Sequence, residues 1–385
     1  MKLIPCNFPA RRAIAALVCV AAAASAFAQD IVLGQTASFK NPLVTSLSRE
    51  YNAGIELALK RANAAGGIKG RKLRLVMADD NFDAKVTVGM VDDLVENGNI
   101  VALVGAMGTQ PVMKLADEQV LEKYHLASIG PMTGLQAALS KPNVFPVRGS
   151  YEDEVRAMLT HSSRLGRNRV AYVYYEAGVG PQLAKLVPEM AQQAQVQLTG
   201  VAGFPVTPDR ADQPAAVRKA LDQLSGKPQS IILLAIGPAH AEALKVVRER
   251  YGESMPVYSL GQVNAAALVK DVGVETARGV MLSQVMPMPG GVGVAIVREF
   301  ESDRRRFAKE QPASYMFMEG YVVGRVATEI VRRAKTPTRE GVLRAAEQAG
   351  QLNVAGFLVD YRPEARRSIN PIELTMIGRN GTLIR

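Results

Sequence analysis

"VALVGAMGTQPVMKLADEQV", Val101–Val120, reads in three pieces: an apolar strand, a turn holding Gly105 and Gly108, and a helix with Pro111 near its start. That succession is the repeating unit of a parallel α/β sheet. It leaves the first N–H groups of the helix without intrahelical acceptors, where an anion is stabilised. Nucleotide phosphate is the first candidate, and the residues refuse it. A P-loop needs lysine and then serine or threonine after its last glycine, whereas Gly105 is followed by Ala, Met, Gly, Thr and Gln. The dinucleotide fingerprint needs three glycines in register, and only Gly105 and Gly108 occur. "GGVGVAIV" from Gly290 also lacks the third and follows prolines instead of a strand. A carboxylate suits the same helix start. A second turn, Pro131-Met132-Thr133-Gly134, offers similar donors; the plainer alternative is that Thr109 and Thr133 only cap helices.

Outward from this unit the same rhythm continues. "DIVLGQTAS" (Asp30–Ser38) is a strand, and Leu47, Tyr51, Ile55, Ala58 and Ala62 recur at helical spacing until Gly66-Gly67. A strand at Lys72–Asp80, a helix at Ala84–Glu96 and "LASIG" (Leu126–Gly130) complete a first series. From Arg169 a second series starts with "RVAYVYY" and alternates through "SIILLAIG" to "PVYSLG". Two long helices, about Val294–Lys309 and Ser314–Ala334, follow, and short strands close the chain. The fold class is therefore α/β: two doubly wound, Rossmann-like lobes with parallel-sheet cores. Ligands of such sheets sit beyond the carboxyl ends of the strands. That directs attention to Ser38–Pro42, Met107–Gln110, Pro131–Thr133, Tyr174–Gly180, Gly237–Ala239 and Gly261–Asn264.

The amino terminus reads as a secretory signal peptide: Lys2, Arg11 and Arg12, then apolar Ala13–Ala24, then Ala26-Phe27-Ala28 with cleavage after Ala28. Twelve apolar residues are too few to span a bilayer. Both cysteines, Cys6 and Cys19, lie in that segment, so the mature chain, read as exported and periplasmic, has none. Removing 28 of 385 residues leaves 357, enough for two domains with cores that need no disulfide. Net charge drops from +10 to +7 with Lys2, Arg11 and Arg12 gone, and the rest is dispersed. With no tryptophan and 5% aromatics, nothing favours nucleic acid.

Catalytic constellations are thin. His125, His161 and His240 have no metal-ligand spacing, no cysteine nucleophile remains, and no G-x-S-x-G elbow occurs. Asp79-Asp80 at a strand end reads as a turn and capping feature before a metal site. The reading is a non-enzymatic protein with no cofactor.

The stretches "NAGIELALKRANAAGGIKGRKLRLVMADDNFD", "VALVGAMGTQP", "ASIGPMTG", "VFPVRGSYEDE" and "IELTMIGRNGTLI" resemble the type I periplasmic binding proteins of ABC importers, in particular the leucine/isoleucine/valine-binding family. The likeness covers nearly the whole mature chain. It implies two lobes joined by three crossovers, which fall near Val147–Gly149, Gln284–Pro287 and Val354–Phe357. The first lobe is then 30–147 plus 287–354, and the second 150–283 plus 357–385. It also implies a monomer that captures a small carboxylate-containing solute by hinge closure and delivers it to a membrane permease, or, alternatively, a sensor of the same fold feeding a signalling partner.

In that family the first-lobe turns hold the ligand's α-carboxylate and α-ammonium. Met107, Gly108, Thr109, Pro131, Met132 and Thr133 occupy them here. Amino-acid binders place a tyrosine before the glycine matching Gly180, where this chain has Val179, and an acid where Gly261-Gln262 stand. Glu176 is the candidate substitute for the acid, with Tyr174, Tyr175 and Gln262 as hydrogen-bonding groups and Phe39 as a stacking surface. A branched-chain amino acid therefore competes with an aromatic or aliphatic acid or an amide. Arg148, at the first crossover, either touches ligand or braces the hinge against an acid.

Overall fold

The computed structural model describes residues 29–291 and 293–385. The signal-peptide reading and both cysteines lie outside them.

The first lobe runs β1 (Ile31–Ala37), α1 (Thr45–Ala64), β2 (Leu73–Asp79), α2 (Ala84–Glu96), β3 (Ala102–Val104), α3 (Thr109–Asp117), α4 (Val120–Lys123), β4 (Ser128–Ile129), α5 (Gln136–Leu139) and β5 (Val144–Phe145). Its five strands lie in the order β2-β1-β3-β4-β5, all parallel. The second lobe follows with α6 (Tyr151–Arg164), β6 (Arg169–Tyr175), α7 (Gly180–Gln193), β7 (Gln197–Phe204), α8 (Gln213–Leu221), β8 (Ser230–Leu234), α9 (Gly237–Tyr251), β9 (Val257–Ser259), α10 (Ala265–Val272), α11 (Val274–Ala277) and β10 (Val280–Gln284). Every residue of β1, β8 and β10 is buried. Strands covered on both faces favour apolar runs, as in β8, while β1 and β10 also bury Gln35, Thr36, Ser283 and Gln284 near their carboxyl ends.

The chain then returns through α12 (Ala295–Phe307), α13 (Tyr315–Arg333) and α14 (Arg339–Glu347) to β11 (Gln351–Val354), β12 (Phe357–Asp360), β13 (Arg367–Ser368), β14 (Glu373–Ile377) and β15 (Leu383–Ile384). Helix α13 belongs to the first lobe because it lies backbone-close against α1. A Cβ at Gly320 would sit 1.9 Å from the Tyr51 carbonyl oxygen, and one at Gly54 would sit 2.2 Å from that of Phe317. Strand β14 joins the second sheet antiparallel to β10, and β15 pairs antiparallel with β14, giving β15-β14-β10-β9-β8-β6-β7.

One boundary differs from expectation. Val354–Phe357 is not a crossover between lobes but the turn of a hairpin, with Val354 paired to Phe357 across β11 and β12. Ala355 and Gly356 both have positive φ, 51° and 88°, as a tight hairpin turn with matching twist requires. The hairpin stays on the first lobe, where the Tyr361 ring lies edge-on to Phe145 at 5.4 Å. The last crossing to the second sheet falls at 369–372, just before β14.

Candidate functional site

The two turns singled out in the sequence meet. Strands β3 and β4 are neighbours, and their ladder continues past both ends into a parallel bridge between Met107 and Met132. The Met107 N–H donates to the Thr36 carbonyl at 2.9 Å, Met132 N–H to Ala106 at 2.8 Å, and Gly108 N–H to Met132 at 3.2 Å. Gly108 holds φ at 98°, the conformation that lets helix α3 begin at Thr109; a Cβ there would meet the Phe82 ring at 2.6 Å. Neither threonine caps a helix: α3 has Gly108 and α5 has Leu135 at the cap position. Instead the Thr109 and Thr133 hydroxyls bond each other at 2.8 Å, and Thr133 is fully buried. The pair fastens the two turns together.

Beyond this junction, at the carboxyl ends of the strands of both lobes, lies a cavity of about 290 Å³. The first lobe contributes Leu43, Val44, Leu47, Phe82, Met107, Gly108, Thr109 and Met132; the second contributes Tyr151, Tyr175, Ala177–Val179, Ile236 and Gln262. Six of the eleven residues expected at the site therefore line it: Met107, Gly108, Thr109, Met132, Tyr175 and Gln262. The other five do not. Pro131 and Thr133 stand behind the wall, and Phe39 packs against the core. Tyr174 and Glu176 point to the opposite face of β6 from Tyr175, as alternation along a strand demands. Both lie over Gly203 of β7, and Glu176 is exposed to solvent. Glu176 therefore does not bring a carboxylate to the cavity.

Tyr151 was missed as a lining residue. In the sequence it is one more apolar position at the start of an acidic helix. In the structure its ring packs on Gly134, where a Cβ would meet it at 2.7 Å, and its hydroxyl accepts a hydrogen bond from Gln262 Nε2. Burial raises the pKa values of both Tyr151 and Tyr175, so both hydroxyls stay protonated. Tyr175 is 6% exposed. A second cavity of about 350 Å³ shares Leu47 and Gln262 as its wall and is lined by Glu50, Asn264, Met288, Ser314 and Tyr315. The smaller one is where the helix start and the strand ends converge.

Arg148 turns out to brace the hinge. It is 2% exposed, 2.8 Å from Glu154 on α6 and 3.5 Å from Glu319 on α13. Burial opposes its charge, but Glu319, Tyr151 and Glu154 outweigh that and hold the guanidinium firmly protonated. Burial pushes the carboxyls of Glu154 and Glu319 up, against the pull of Arg148. Glu154 also accepts from Ser283 Oγ and, at 3.3 Å, from Gly261 N–H, the residue before Gln262. The first crossover and the loop that carries Gln262 thus share one buried carboxylate.

Asp79 and Asp80 serve as turn and capping groups. Asp79 accepts from Asn81 N–H at 2.9 Å, and Asp80 from Phe82 N–H at 3.0 Å and Thr87 Oγ at 2.9 Å. Among the described residues no group of three or more His, Cys, Asp and Glu side chains could hold a metal, and no helix is long and apolar enough to cross a membrane.

Two α/β lobes around a small interlobe cavity are the architecture of a periplasmic-type binding protein. The model of the periplasmic binding protein family matches residues 36–382, and the chain belongs to that family. It is 22% identical over 284 residues to the Leu/Ile/Val-binding protein of Escherichia coli, covering 72% of this chain and 74% of that one. A substrate-binding periplasmic protein from Ralstonia solanacearum superposes with a TM-score of 0.82 at 32% identity, over 92% of this chain and 99% of the other. An extracellular ligand-binding receptor from Verminephrobacter eiseniae gives 0.82 at 25% identity, over 93% and 100%.

Proposed function

We propose that this protein is the exported binding component of an ABC importer, holding a small carboxylate- or amide-bearing solute in the 290 Å³ cavity and presenting it to a membrane permease. The observation that carries the reading is the position of that cavity. It lies between the lobes, with the start of α3 on one wall and Tyr175 and Gln262 on the other. A ligand seated there contacts both lobes, so binding shifts an open–closed equilibrium towards the closed form. The E. coli relative's name, a Leu/Ile/Val-binding protein, supports a small solute with an apolar body.

The energetics are sufficient. Charge-assisted hydrogen bonds contribute roughly 1.5–3 kcal/mol each. Two or three of them with apolar burial reach the roughly 8 kcal/mol of micromolar binding. No bond in the solute needs to break.

The test is a thermal-shift screen of the purified protein against amino acids, aromatic and aliphatic acids, amides and nucleotides. A ligand of the native state raises the melting temperature. Stabilisation by one carboxylate or amide class, with the compound recovered unchanged, supports the reading. Stabilisation by nucleotides alone would sink it.

A further inference from the structure

The cavity's chemistry narrows the ligand beyond this reading, on which the inference rests. Its wall carries tyrosine hydroxyls, a glutamine amide and a helix start, but none of the residues lining it is Asp, Glu, Lys, Arg or His. The one acid that the sequence offered for a ligand ammonium, Glu176, is exposed on the far face of β6. Glu154, which accepts from Gly261 N–H behind the wall, is paired with Arg148, and Glu50 lines the neighbouring cavity. Glu50 is already engaged by Asn264 Nδ2 at 3.0 Å and by the Ser314 hydroxyl.

The donors, by contrast, are free to act. Tyr175 is 94% buried, since only 6% of it is exposed, and its hydroxyl has no hydrogen-bond partner among the described residues. The Tyr151 oxygen accepts from Gln262, so its own proton remains available to a further acceptor. Burial raises the Tyr151 pKa and keeps its hydroxyl protonated, while the Arg148 guanidinium, 4.8 Å from the ring centroid, pulls in the opposite direction by favouring negative charge at the phenol oxygen. The N–H groups at the start of α3 add a third source of positive potential. Around these donors stand Leu43, Val44, Leu47, Phe82, Val179 and Ile236, all apolar.

We propose that the ligand is a monocarboxylic acid with an apolar body and no α-ammonium, its carboxylate held by the hydroxyls of Tyr175 and Tyr151 together with the start of α3. A carboxylate finds charge-assisted donors there. An ammonium meets no opposite charge, and an unpaired buried cation is costly. A cavity of about 290 Å³ is of the size that takes a small solute.

The experiment is calorimetric titration of the purified protein, stripped of any carried ligand, with matched pairs. These are isocaproate against L-leucine and hydrocinnamate against L-phenylalanine, each pair sharing a carbon skeleton and differing in the ammonium. The expected result is binding of the des-amino acids at least about tenfold tighter than their amino-acid partners. Tyr175→Phe is expected to weaken that binding by about tenfold while leaving the ligand-free melting temperature in place. Gln262→Glu, which sets a carboxylate on the wall, is expected to move the preference towards the amino acids. Equal or tighter binding of leucine or phenylalanine overturns the inference and leaves solute capture standing. Binding of some other solute class in place of both pairs overturns it too. If no small solute of any class binds, it is solute capture itself that fails.

Discussion

The guanidinium of Arg148 and the carboxylate of Glu154 face each other at 2.8 Å, both almost wholly buried, where the first crossover enters the second lobe. Glu319, from the first lobe, approaches the same guanidinium to 3.5 Å. One cation thus serves acids from both sides of the hinge. Breaking a buried pair by removing one partner strands the other charge, at a cost of roughly 3–5 kcal/mol. Arg148→Met should lose about that much stability, measured by urea unfolding. A loss under about 1 kcal/mol would mean that water or a rearranged side chain replaces the guanidinium.

The Thr109–Thr133 bond makes a separate prediction. Thr109→Val keeps the shape of the side chain but takes from the fully buried Thr133 hydroxyl its short bond to Thr109, leaving it the 3.4 Å bond from Leu135 N–H and its proton without an acceptor. An unsatisfied buried hydroxyl costs about 1–3 kcal/mol. The variant should unfold at correspondingly lower urea and bind ligand more weakly, because the two turns are no longer fastened. Unchanged affinity would show that the Met107–Met132 bridge alone holds the wall.

How far the sequence speaks differs between backbone and site. Strand and helix positions were legible because periodicity is local. The helix expected at Ala84–Glu96 matches its element, and that expected at Ser314–Ala334 lies within one residue of α13 at each end. The hairpin at Val354–Phe357 escaped because "VAGF" reads equally as a linker; only the pairing of Leu352 with Val359 distinguishes them. Within the site, Tyr175 and Gln262 were visible at strand ends. Tyr174 and Glu176 were carried along by proximity, although alternation turns their side chains away. Tyr151 was hidden because its place on the wall depends on Gly134, seventeen residues earlier, leaving room for the ring.

His240 gives a pH prediction. It is fully buried, bonded through Nε2 to Ser259 Oγ at 2.8 Å, and burial lowers its pKa from 6.5 to about 4. The unfolded chain therefore binds a proton between these values while the native state does not. Stability from this group is complete above about pH 6.5 and is lost as pH falls towards about 4. At about 1.4 kcal/mol per unit, the loss is of order 3 kcal/mol. His240→Gln should flatten that part of the stability–pH curve. Retention of the full slope would assign acid sensitivity to other groups.

The contact between α1 and α13 should tolerate no side chain at Gly320. A Cβ there lies 1.9 Å from the Tyr51 carbonyl oxygen, backbone that cannot swing aside. Overpacking of this kind costs roughly 1–3 kcal/mol, occasionally more. Gly320→Ala should lower the melting temperature, whereas Gly89→Ala, with nothing within 4 Å of the added Cβ, should not.

Closure itself can be tested at Asn264, whose Nδ2 donates to Glu50 across the cleft at 3.0 Å while its Oδ1 caps α10 by accepting from Ala267 N–H, also at 3.0 Å. Asn264→Asp keeps the cap, since aspartate serves as well there. It replaces the cross-cleft donor with a carboxylate facing Glu50, so attraction between the lobes becomes repulsion. A change of about 1.4 kcal/mol in the closed form weakens ligand binding tenfold. Stability of the separate lobes should scarcely alter, because both partners are only partly buried. Small-angle scattering without ligand should show a larger radius of gyration than for the parent, and calorimetry an affinity reduced about tenfold. An unaltered affinity would mean that the Glu50–Asn264 contact forms only as a consequence of closure and does nothing to favour it.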